Sequence, residues 1–104
     1  MDFSDYQRQA IKTAIYPADS IVTYPAIGLA GEVGELLNII KKVIRDDAQI
    51  DKAELTGELG DVLWYLAALA RDLDISLQVA AEQNINKLHD RQQRGKLQGN
   101  GDNR

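Results

Sequence analysis

Gly31-Glu32-Val33-Gly34-Glu35-Leu36-Leu37 is answered 26 residues later by Gly57-Glu58-Leu59-Gly60-Asp61-Val62-Leu63. The correspondence extends outward, Leu29 matching Leu55 and Ile40 matching Leu66. Apolar residues recur three and four apart through both copies, the period of one buried helical face. Around the first copy, Leu29, Val33, Leu36, Leu37, Ile40 and Ile44 keep that period. They predict a helix from about Pro25, tolerated in a first turn, to about Arg45. Around the second copy, Leu55, Leu59, Val62, Leu63, Leu66 and Ala70 predict a helix ending near Asp72. Asp51 and Glu54 have capping-box spacing at its start.

Two further helices flank this pair. The first runs from about Ser4, as N-cap, to about Ile15, where Tyr16-Pro17-Ala18-Asp19 breaks it. Its apolar face is thin. The last runs from about Ser76 to about Arg94, with Gly95 just beyond its end. Short connections between amphipathic helices predict an all-α, antiparallel, four-helix bundle-like domain. Residues 1–96 form that single domain, and residues 97–104, with nothing to bury, read as a flexible tail.

Bulk properties narrow the function. A chain of 104 residues buries only about two-thirds of its unfolded surface, so oligomerisation would help it. The 44% of apolar residues suffices for a core. The lack of cysteine excludes disulfides and thiolate metal sites and leaves the redox compartment open. The opening residues lack the basic start and apolar run of a secretion signal. No apolar stretch approaches the roughly 18 residues of a membrane span. A cytoplasmic location without membrane contact is the expectation. A net charge of -4 argues against a nucleic-acid polymer as partner. A small phosphorylated ligand bound through a metal stays open.

The repeated acids point to such a metal. Each helical residue advances about 100°, so Glu32 and Glu35 lie about 60° apart on one face, as do Glu58 and Asp61. Both pairs border the apolar stripe, so packing the stripes together gathers four carboxylates at the rim of the core. Like charges so placed raise one another's pKa, and a divalent cation relieves them. Gly31, Gly34, Gly57 and Gly60 each directly precede an acid. Each costs roughly 1 kcal/mol relative to Ala inside a helix. Close helix approach, or room for a ligand, would justify them. A lone Glu-x-x-Glu pair is ordinarily a solvated face; two pairs in register with glycines are not ordinary. Oxygen-only ligands suit Mg²⁺, with Mn²⁺ as a substitute, while zinc favours His or Cys. Di-iron bundles use Glu-x-x-His motifs on two helices, and here the one histidine, His89, lies on the fourth helix.

At these residues the chain resembles the MazG-like all-α nucleoside triphosphate pyrophosphohydrolases. That superfamily includes dimeric dUTPases and phosphoribosyl-ATP pyrophosphohydrolases. Its signature is Glu-x-x-Glu, a spacer, then Glu-x-x-Asp, matched here by Glu32, Glu35, Glu58 and Asp61 across a 22-residue spacer. The resemblance also takes in Gly28-Leu29-Ala30-Gly31, the segment through Trp64-Tyr65, and Asn84-Ile85-Asn86-Lys87-Leu88. The Arg94-Gly95 turn and the Gly101-Asp102-Asn103-Arg104 ending are similar to those of small stand-alone members. The resemblance implies hydrolysis of (d)NTPs between the α- and β-phosphates, giving (d)NMP and pyrophosphate. It implies a house-cleaning role against noncanonical or excess nucleotides. It further implies a homo-oligomer, a dimer or a tetramer built as a dimer of dimers, with sites near subunit interfaces.

Roles follow for individual residues. Phosphoryl transfer needs charge neutralisation and an aligned nucleophile more than covalent catalysis. The four acids would bind Mg²⁺, and one of Glu32 and Glu35 would orient or deprotonate the attacking water. With one histidine and no cysteine, no Ser-His-Asp or Cys-His arrangement competes. Asn84 and Lys87 match the family's Asn-x-x-Lys-Leu pattern, and with Arg91 they form one helical stripe suited to phosphates. Lys42 lies about 80° from Glu32 on its helix and can serve the same end. Tyr65, four residues after Asp61, shares the acids' face and is expected near the sugar. Trp64, turned away by about 100°, is expected to pack or to meet another subunit. Base selection is expected of the N-terminal helix and the loop through Tyr24. Two alternatives stand beside this: a related substrate such as phosphoribosyl-ATP, and a helical protein-interaction or dimerisation module without catalysis.

Overall fold

Regular structure is helical throughout the computed structural model, which describes residues 1–104. The order is α1 (Phe3–Ile11), a 3₁₀ turn (Ala18–Ser20), α2 (Thr23–Asp46), α3 (Lys52–Asp72) and α4 (Leu77–Gln93), with no strand. No helix is long and apolar enough to cross a membrane.

Three of the four helices start on side-chain caps. Asp2, not Ser4, opens α1: it accepts from the Asp5 N–H while the Asp5 carboxylate reaches back to the Asp2 N–H. A complete capping box satisfies two orphan donors at once, which the isolated Ser4 does not. α1 also ends at Ile11, short of the expected Ile15, and Thr13 donates to the Ala10 carbonyl at 2.7 Å as the chain leaves the helix. Asp51 accepts from Ala53 and Glu54 at the start of α3, and Ser76 accepts from Val79 at the start of α4. Gly95, at φ +69, follows the end of α4 in the left-handed conformation that glycine tolerates. α2 has no side-chain cap. It is entered through Val22 at φ 66, ψ -55, with the Thr23 N–H donating to the Ile21 carbonyl at 2.7 Å. This is the γ-turn of the rare, strained hand.

α2 and α3 form the hairpin that carries the repeat. α1 lies against α3 and α4, and hydrogen bonds make up for its thin apolar face. The Gln7 amide donates to the carbonyls of Ala67 and Ile75 and accepts from the Leu77 N–H. The Trp64 indole donates to Thr13 Oγ1 at 2.8 Å and to the Ala10 carbonyl at 3.2 Å, so Trp64 is a packing residue that fixes the end of α1. α2 and α4 make no substantial contact. The arrangement is consequently open, with a radius of gyration of 16.6 Å against about 13 Å for a compact chain of this length. Full burial is confined to Ala10, Pro25, Ala67, Ala68 and Arg91.

Residues 97–104, which composition alone marks as a flexible tail, curl back onto α4. Asp102 pairs with Lys87 at 2.6 Å and with Arg91, whose guanidinium also donates to the Asp102 carbonyl. The Arg104 guanidinium donates to the carbonyls of Lys96, Leu97 and Gly101. These contacts are polar and non-local, and an apolar tally does not register them.

Candidate metal and nucleotide site

Packing the apolar stripes of α2 and α3 brings Glu32, Glu58 and Asp61 together. One carboxylate oxygen from each lies within 4.8 Å of the others. Glu32 and Glu58 are half-buried, and Asp61 is exposed. Oε2 of Glu32 and Oε2 of Glu58 are fully buried and accept no hydrogen bond. Buried polar atoms almost always have a partner, so two orphaned carboxylate oxygens in one cluster call for one. No lysine or arginine of the chain forms an ion pair with any of the three. Burial, followed by the charges of Glu35, Asp61 and Glu58, pushes the Glu32 carboxyl above the ordinary glutamate range. An all-oxygen, uncompensated cluster of this kind matches the chemistry of a hard divalent cation such as Mg²⁺.

Glu35 stands outside the trio. Its side chain is exposed, yet close enough to Glu32 for its charge to act there. The structure thus converges three of the four acids and leaves the fourth beside them.

The repeat glycines separate the two reasons sequence allows for them. A Cβ at Gly31, Gly34, Gly57 or Gly60 would meet nothing within 4 Å. Close approach of helices within the chain is not what requires them, and open space beside the acids is what they leave. Close approach occurs at Gly28 instead, where a Cβ would overlap the Tyr65 ring. Sequence reasoning missed this glycine because its partner lies on another helix.

Tyr65 belongs to a row of aromatic rings. Tyr16 stacks on Tyr24 with centroids 4.8 Å apart, Tyr24 lies 6.4 Å from Tyr65, and Trp64 meets Tyr65 edge-on at 5.0 Å. Burial, then Tyr24, then the charges of Glu32 and Asp61 push the Tyr65 phenol up. Tyr65 is therefore the ring of the row that lies close to the acids. Tyr6 approaches from α1: its phenol is raised first by burial and then by Asp61. It lines a cavity of about 310 Å³ with Phe3, Leu63 and Gln78.

The expected phosphate binders divide. Lys42 shares a cavity of about 430 Å³ with Glu54 and Glu58, which puts it on the Glu58 side of the cluster. Lys87 and Arg91 are engaged by Asp102 instead, Arg91 being buried at 5% exposure. Asn84 is exposed on the same helix. Nothing in one copy of the chain brings α4 to the face of α2 that bears Glu32.

The family model of the MazG nucleotide pyrophosphohydrolase domain matches residues 25–95, a span that includes the acids, Tyr65 and the Asn84–Arg91 stripe. The chain belongs to the MazG nucleotide pyrophosphohydrolase family. The MazG match begins after α1. A second likeness spans nearly the whole chain: Gene 37 protein of Mycobacterium phage L5 is 47% identical, over 95% of this chain and 96% of that protein. No solved structure matches. The MazG match accordingly takes in α2, α3 and α4, and the acid cluster lies within it.

Proposed function

We propose that this MazG domain is a Mg²⁺-dependent nucleoside triphosphate pyrophosphohydrolase, with Mn²⁺ as a substitute ion. It cleaves ribo- or deoxynucleoside triphosphates between the α- and β-phosphates, in a house-cleaning role against noncanonical or excess nucleotides. The observation that carries this reading is the convergence of Glu32, Glu58 and Asp61, two of them with a buried oxygen lacking any donor. When bound, the cation neutralises phosphate charge and acidifies a water. Glu32, Glu58 and Asp61 hold it. Glu35, outside the trio, is the carboxylate free to orient or deprotonate the attacking water. Lys42 faces the phosphates from the Glu58 side. Tyr65 packs near the sugar, and the Tyr24–Tyr16 stack beyond it offers the base an aromatic surface.

Asn84, Lys87 and Arg91 take part through a second copy of the chain. The apolar side chains left open on α2, Ile27, Leu37 and Ile44, are 68%, 57% and 77% exposed. A homodimer, or a tetramer built from dimers, covers them and lets α4 of one copy approach the acids of the other. Each phosphate-binding cation then exchanges Asp102 for substrate.

The test is pyrophosphate release from a panel of ribo- and deoxynucleoside triphosphates with Mg²⁺. Release from at least one substrate is expected, with Glu58→Gln and Asp61→Asn each reducing kcat by roughly 10²-fold or more, as for loss of a charge-stabilising group. A folded protein that releases none, and leaves Mg²⁺ unbound, would be a helical interaction module instead.

A further inference from the structure

Asp72 closes α3, and its side chain is 2% exposed. Three donors from three places converge on it. The Tyr16 hydroxyl donates to Oδ2 at 2.7 Å, the Val22 N–H donates to the same oxygen at 2.9 Å, and Arg71 Nε donates to Oδ1 at 2.8 Å. Arg71 also reaches the Tyr16 hydroxyl at 3.4 Å. A negative charge at a helix C-terminus opposes the macrodipole, so Asp72 does nothing for the helix that carries it. Two of its three donors, Tyr16 and Val22, lie outside that helix.

Val22 is the more telling of them. A β-branched residue at φ 66 is a genuine outlier. Such strain persists only where the surroundings over-determine it, and it gathers at ligand clamps and active sites. Here Asp72 fixes the Val22 N–H while the Thr23 N–H closes the turn on Ile21. That turn sets where α2 begins and so where Tyr24 stands. The same carboxylate oxygen holds Tyr16, the ring stacked on Tyr24. Both faces of the stack are thus set by one buried acid.

We propose that Asp72 is a positioning residue for nucleobase recognition, fixing the Tyr16–Tyr24 stack, through the Val22 turn and the Tyr16 hydroxyl, as an aromatic wall beside the acid site. It rests on the nucleotide reading above and adds what builds the wall. Bases of every kind stack on aromatic faces, so the wall supplies affinity and its placement supplies reach toward the acids.

The experiment titrates the full chain with nucleosides, without phosphate or metal, following the tyrosine ring resonances by NMR. In the wild type the Tyr16 and Tyr24 resonances move on adding nucleoside. Asp72→Ala, shown folded by circular dichroism, weakens nucleoside binding at least tenfold, and Asp72→Asn, which keeps an acceptor oxygen, weakens it less. Tyr16→Phe removes one anchor and retains the ring, and is expected to weaken binding severalfold, which keeps the test open if Asp72→Ala does not fold. In the hydrolysis assay Asp72→Ala raises KM about tenfold with kcat within twofold, whereas a merely structural role would lower kcat as well. The proposal is overturned if saturating nucleoside leaves Tyr16 and Tyr24 unmoved, or if folded Asp72→Ala binds within twofold of wild type. Nucleoside binding that depends on Asp72, without pyrophosphate release, would sink the catalytic reading alone.

Discussion

A methyl group added at Gly28 would overlap the Tyr65 ring, while one added at Gly57 would meet nothing. Gly28→Ala is therefore expected to destabilise the chain by about 1–3 kcal/mol, the usual range for overpacking, and to displace Tyr65. Gly57→Ala is expected to stabilise the isolated chain by about 0.5–1 kcal/mol, the helical difference between the two residues. Thermal melts of the two variants check both, and a destabilised Gly57→Ala would mean that another copy packs there. Asp72 gives a pH prediction. Burial alone would raise its carboxyl, but the Val22 N–H, the Tyr16 hydroxyl and Arg71 outweigh burial and hold it below its ordinary 3.8. The folded state then binds fewer protons than the unfolded one in that window, so stability falls with falling pH. Asp72's contribution is complete above pH 3.8 and is lost as pH falls through the lowered value. Urea unfolding across the acid range should show a shallower acid loss in Asp72→Asn than in wild type; an unchanged slope would contradict it. At this scale the convergence of Glu32, Glu58 and Asp61 was legible because their spacing encodes their face, whereas the place of Glu35 outside the trio was not. Gly28 and Asp72 were not, since each owes its role to residues more than thirty positions away in sequence.

Among the elements, the cap at Asp51 and the start of α4 near Ser76 could be read from sequence because a cap is a local contract between neighbouring residues. The entry to α2 could not. A strained γ-turn at a valine contradicts local preference, and only the distant Asp72 carboxylate explains it. The limits of α1 slipped for a related reason: two acids form its capping box, and its far end is held by the Trp64 indole of α3. The C-terminal segment shows the same dependence on partners. Asp102→Ala removes the carboxylate shared by Lys87 and Arg91. It is expected to speed amide hydrogen exchange across residues 97–104 severalfold while leaving the middle of α4 protected. Exchange unchanged in both segments would show that the Arg104 contacts alone hold the turn.

Across the whole molecule, one copy buries few side chains and leaves most of the α2 apolar face open. The repeat also makes this shape: matched stripes on α2 and α3 pack on each other, while α4 packs on α1 and α3 and makes no substantial contact with α2. The all-helical architecture and the gathering of three acids were therefore legible in the repeat, whereas the openness was not, because helical period fixes which face is apolar and not what covers it. Metal should tie the hairpin. Mg²⁺ at 100 times its Kd should stabilise the chain by about 2.7 kcal/mol, and Glu58→Gln should remove that gain in a thermal melt. What we propose is cleavage between the α- and β-phosphates with a cation held by Glu32, Glu58 and Asp61. Its most direct test is ³¹P NMR of a nucleoside triphosphate turned over with Mg²⁺ by wild type and by Asp61→Asn. The predicted result is nucleoside monophosphate and pyrophosphate in equal amounts from the wild type, with the variant slower by roughly 10²-fold or more. Nucleoside diphosphate with inorganic phosphate, or equal turnover by both proteins, would contradict it.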